Sequence, residues 1–93
     1  MATYLVSYDL RGTDETSDDY KRLIEKIKSY GTWARPTYSD WMIVTTKTTD
    51  RVRDELWAFM DSNDRLLVVT ANAPASWVGI PQDVSDWMKA NLH

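Results

Sequence analysis

Apolar and polar positions alternate from the first residues of this chain. In Met1-Ala-Thr-Tyr-Leu-Val-Ser-Tyr-Asp9, an extended backbone places Tyr4, Val6 and Tyr8 on one side and Leu5, Ser7 and Asp9 on the other. A β-branched and aromatic run so close to the N-terminus predicts a central strand over residues 3–9. The period then changes. Tyr20, Leu23, Ile24, Ile27 and Tyr30 recur at the spacing of one helix face. Thr16 or Ser17 offers an N-cap, Asp18 and Asp19 sit at the positive helix end, and Gly31 suits a left-handed C-cap.

Beyond Gly31 the alternation returns. Thr32 to Arg35 predicts a short second strand, Pro36-Thr-Tyr-Ser39 a turn, and Asp40 to Thr46 a third strand. Thr49 caps a second helix over about residues 50–61, with Val52, Leu56, Phe59 and Met60 facing inward. Asp61-Ser-Asn-Asp64 ends it, and Arg65 to Ala71 makes the fourth strand. The order β-α-β-β-α-β predicts an α+β, ferredoxin-like fold, a four-stranded antiparallel sheet with two helices on one face.

Residues 1–71 form this core. Residues 72–93 form an aromatic tail with Trp77, Val78 and Ile80, then a short helix from about Gln82 to Leu92 carrying Val84, Trp87 and Met88. Two helices cover only one sheet face, yet both faces are apolar: Leu66 and Val68 oppose Leu67 and Val69, while Trp41 and Ile43 oppose Met42 and Val44. Bare patches of that size are unusual on a monomer. The second face is therefore expected to be covered by the tail or by a partner subunit, a symmetric homodimer being the commonest solution.

Composition narrows the classes. The 93 residues include five tryptophans and five tyrosines, a surplus that suits a buried subunit contact, with Trp77 and Trp87 as candidate dimer-interface residues. Cysteine is absent, which excludes disulfides, thiolate metal sites and cysteine nucleophiles and fits a cytoplasmic setting. No secretory leader and no apolar run of membrane-spanning length is legible. The net charge of −3 counts against strong non-specific binding of nucleic acid.

The chemistry-bearing residue that stands out is Asp9, a lone carboxylate held on rigid backbone at a strand end. Two readings of it stand side by side: a metal-binding or catalytic acid, and an acid that merely closes a strand and accepts turn amides. Ser39 likewise reads as a turn residue and Arg11 and Arg35 as solvated charges. His93, the only histidine, is the last residue, is expected to be frayed and is assigned no catalytic role. The acidic loop Asp14-Glu15 to Asp18-Asp19 lacks calcium-loop spacing and is accounted for by helix capping. No P-loop, nucleophile–histidine pair or zinc signature is present.

Four segments together are similar to one family. Ser7-Tyr8-Asp9-Leu10 closes the first strand, Tyr30-Gly31 ends the first helix, Arg35-Pro-Thr-Tyr-Ser39-Asp-Trp41 enters the third strand, and Asp64-Arg-Leu-Leu-Val-Val69 forms the fourth. In order and spacing the chain resembles the CRISPR-associated protein 2 family, small ferredoxin-like homodimers related to toxin–antitoxin ribonucleases. Thr37 stands where that family commonly has glutamine, and the segment from Asn72 onward departs from it.

The resemblance implies a nucleic-acid-associated homodimer in which Asp9 of each copy meets its symmetry mate and the pair holds Mg²⁺ or Mn²⁺ for phosphodiester cleavage. It implies phosphate-facing roles for Arg11, Arg35 and Ser39. The alternative is a non-catalytic regulator or scaffold, such as an antitoxin or a mobile-element accessory protein, acting through protein–protein contacts.

Overall fold

A computed structural model describes residues 1–93. Seven elements follow one another: β1 (Ala2–Asp9), α1 (Asp18–Lys28), β2 (Thr32–Thr37), β3 (Asp40–Thr45), α2 (Thr49–Trp57), β4 (Arg65–Thr70) and α3 (Gln82–Asn91). The strands form one sheet in the order β2-β3-β1-β4, with every neighbouring pair antiparallel. The ferredoxin-like α+β expectation holds. β1 is central, with Val6 opposite Trp41 on one side and Val68 on the other.

The alternation in β1 sorts its side chains as expected. Tyr4, Val6 and Tyr8 are buried, and with Trp41, Ile43, Leu23, Ile27, Tyr30, Val52 and Leu56 they form one core between the sheet and helices α1 and α2. Ser17 caps α1 by accepting the Tyr20 amide, and Gly31 adopts φ +64° just past the helix end. A Cβ there would also stand 3.1 Å from the Val44 carbonyl oxygen, so glycine answers two constraints at once.

Several boundaries differ from expectation. β2 runs through Pro36 to Thr37, not into a turn at Pro36. The strand lies at the sheet edge with a register irregularity between Ala34 and Thr37, the setting in which proline costs no ladder bond. Thr48, not Thr49, caps α2 by accepting the Arg51 amide, and the helix stops at Trp57. Phe59 and Met60 follow in tight turns and still pack, half-buried, against the core.

The tail covers part of the second sheet face. α3 packs on β2, with Trp87 Nε1 donating to Thr32 Oγ1 at 2.8 Å and Thr3 Oγ1 donating to the Asn91 carbonyl at 2.7 Å. Thr3 and Thr32 both lie on the face opposite the core. Ala34, on that face too, is thereby buried. The other half, over β1 and β4, stays bare: Leu67 is 56% exposed and Val69 42%. The two sheet edges differ as well. β2 carries Pro36 and the register break, whereas β4 is a regular, uninterrupted strand with a free outer edge. No helix is long and apolar enough to cross a membrane.

Candidate functional site

Asp9 is the last residue of β1, opposite Arg65 of β4, and its side chain is exposed on the bare half of the second face. Arg11 Nε donates to Asp9 Oδ2 at 3.0 Å, an ion pair in which both partners are solvated. A shallow depression of about 180 Å³ adjoins it, lined by Ser7, Tyr8, Asp9, Arg65, Leu66 and Leu67. The register sets Ser7 between Asp40 of β3 and Leu67 of β4. Asp9, Ser7, Arg11 and Arg65 therefore share one end of the sheet because β1 is central and ends there.

Ser39 approaches this end through its backbone: its carbonyl accepts the Tyr8 amide at 3.1 Å. Arg35 does not reach Asp9 as a free charge. Its Nε and Nη2 donate to the Tyr38 carbonyl at 2.9 and 2.6 Å, Nη2 also donates to Tyr20 Oη at 3.3 Å, and its guanidinium stacks 4.5 Å from the Trp41 ring centroid. Beneath it lies a buried pair in which Trp41 Nε1 donates to the Tyr8 phenol at 3.1 Å. Burial pushes the Tyr8 phenol up to about 12, with the Trp41 hydrogen bond pulling the other way. Trp77 and Trp87 lie away from Asp9 and use their indole N–H groups within the protomer, on Ser85 and Thr32.

The most strongly built polar site is one the sequence reading passed over. Asp64, read only as closing the second helix and leading the fourth-strand segment, is buried. Its Oδ1 accepts the amides of Arg11, Gly12 and Thr13 at 2.7, 2.8 and 3.1 Å, and its Oδ2 accepts the Asp61 amide at 2.8 Å and the Thr13 hydroxyl. Burial alone would push this carboxyl up. The hydrogen bonds from Thr13, Gly12 and Asp61 outweigh it and hold the group well below the usual carboxylate range. Asp64 thus fixes the loop that carries Arg11 onto Asp9. An acid just before a strand, 51 residues from Thr13, leaves no local signal, since its partners are backbone amides brought close only by the fold.

A second cluster gathers three cations on one carboxylate. Glu55 accepts from Tyr30 Oη at 2.6 Å, Lys47 Nζ at 3.0 Å and Arg51 Nε at 3.1 Å, with Lys26 Nζ at 3.8 Å. These partners, Tyr30 first and then Lys47, bring its carboxyl down to about 2. The network ties α1, α2 and the end of β3 together.

No protein-family model matches the chain. The geometry has to speak for itself. Within one protomer no group of three acidic or imidazole side chains converges, and the Asp9 carboxylate already holds a cation in Arg11. One copy therefore does not fit a divalent-metal site, which needs more oxygen ligands than a single carboxylate provides. What the Asp9 end offers is an exposed acid beside bare apolar surface.

Proposed function

We propose that the protein works as a nucleic-acid-associated homodimer of the CRISPR-associated protein 2 type. In this reading two copies stack through the bare half of the second sheet face, and the Asp9 carboxylates meet across the twofold axis. The observation that carries it is the half-covered face. α3 shields the β2 side, while Leu67, one step along the face from Asp9 and Arg65, and Val69 beyond it remain open. Two sheets stacked face to face lie about 10 Å apart, close enough for acids at the rim of the contact to approach each other. The resemblance of Ser7-Tyr8-Asp9-Leu10 and Arg35 to Trp41 to that family supports metal-dependent phosphodiester cleavage by Mg²⁺ or Mn²⁺ on the paired acids. Arg11 has to release Asp9 for the pair to bind an ion.

Two measurements test this. Light scattering on the wild type is expected to give twice the protomer mass, and Leu67→Lys with Val69→Lys to give one. Asp9→Asn is expected to abolish Mg²⁺- or Mn²⁺-dependent cleavage of RNA or DNA without lowering Tm. A monomeric wild type, or cleavage unchanged by Asp9→Asn, defeats the proposal.

A second reading has its own support. Arg11 neutralises Asp9 within the same protomer, Arg35 is held by Tyr38 and Trp41, and the net charge is −3. These features favour a non-catalytic regulator or scaffold that presents the same bare face to a protein partner. Absence of cleavage by the wild type, together with a stoichiometric partner released by Leu67→Lys, would select it.

A further inference from the structure

We propose that the edge around strand β2 carries a second, separate surface, a ladder of cations and aromatic rings that takes single-stranded nucleic acid. The inference rests on the nucleic-acid association proposed above but needs neither Asp9 nor the dimer. Lys28 Nζ stands 5.1 Å from the Trp33 ring centroid and 6.0 Å from that of Trp41. Trp33 and Trp41 lie 5.5 Å apart, tilted by 55°. The Arg35 guanidinium follows at 4.5 Å from Trp41 and 4.6 Å from Tyr38. The run Lys28, Trp33, Trp41, Arg35, Tyr38 is thus continuous.

Trp41 is its buried floor. Trp33 and Tyr38 are its open rungs, 38% and 61% exposed. The ladder is held in place: Arg35 is tied to the Tyr38 carbonyl and to Tyr20, and the Tyr38 hydroxyl donates to Glu15. Arg35 is therefore a positioning residue, and Lys28 is the cation left for phosphate. Beside Trp33 a groove of about 250 Å³ continues between β2 and α3, lined by Trp33, Ala34, Arg35, Asp83, Val84 and Trp87. Asp83 in that lining disfavours phosphate there and leaves the groove to a base.

The occupant follows from the chemistry. An extended peptide adding to a sheet edge needs a regular row of ladder groups, and here Pro36 and the register break interrupt that row. A duplex keeps its base faces stacked inside. Partly exposed rings interleaved with cations match unpaired bases and their phosphates.

The test is fluorescence anisotropy of a labelled oligonucleotide of about 12 nucleotides, in deoxythymidine and uridine versions, titrated with the full chain at several salt concentrations. The wild type is expected to bind, with affinity falling as salt rises. Trp33→Ala and Tyr38→Ala are each expected to weaken binding about tenfold, the cost of one lost stack. Lys28→Glu is expected to weaken it and to lower the salt slope by about one. Val78→Ser, at an exposed position outside the ladder, is expected to bind as the wild type does. Wild-type binding that all three ladder variants preserve, or that a duplex of equal length matches, overturns the ladder and leaves nucleic-acid association standing elsewhere. No binding of either strand type at low salt overturns both, while dimerisation remains open to its own measurement.

Discussion

At the scale of single residues, the most consequential side chain is Asp64. A buried carboxylate accepting four amides and a hydroxyl has replaced water so fully that removing it leaves a loop of donors without partners. Asp64→Ala is expected to cost about 2–4 kcal/mol, read as a Tm lowered by about 10 °C or more. Its pH signature has a definite sign. Because the folded carboxyl titrates below its unfolded value near 3.9, its contribution is complete above that value and is lost as pH falls toward the folded one. Wild-type stability should therefore drop below about pH 4, and an Asp64→Asn variant should show a flatter profile in that window by denaturant titration. Glu55 adds a loss of the same sign as pH falls from the ordinary carboxylate range toward about 2.

Elements explain which parts of the fold were legible in the chain. β1, α1 and β3 each bury one periodic set of side chains, so the pattern of Tyr4, Val6 and Tyr8, or of Leu23 and Ile27, sufficed to place them. Element ends were less legible because they are settled by contacts remote in sequence. β2 keeps Pro36 because it is an edge, and a residue string does not say which strand is outermost. Thr48 and Thr49 are chemically equivalent caps, and only the helix geometry selects Thr48. Asp9 was placed correctly at the end of β1, yet its partner Arg11 and the Asp64 clamp beneath it emerge only in three dimensions. Two substitutions test the element ends. Thr48→Ala should cost about 1 kcal/mol by removing the Arg51 amide's acceptor. Gly31→Ala should cost about 1–2 kcal/mol from the left-handed backbone, with the approach to Val44 adding to it, both read from chemical denaturation.

For the whole molecule, the C-terminal helix and the two sheet edges decide what can approach. α3 seals the β2 half of one sheet face, and Pro36 with its register break blunts the adjacent edge. The open aliphatic surface of the sheet, Leu67 and Val69, is then on the β4 side. The lysine substitutions at Leu67 and Val69 should therefore raise solubility while leaving Tm at low protein concentration nearly unchanged, because neither side chain belongs to the buried core. A sheet with one finished rim and one unfinished rim has a consequence for how copies accumulate. Growth by strand addition needs two receptive ends per unit, and here the first union consumes the sole receptive one. Strand addition between single protomers, as in the Leu67→Lys, Val69→Lys variant, should consequently stop at pairs and not run on into filaments.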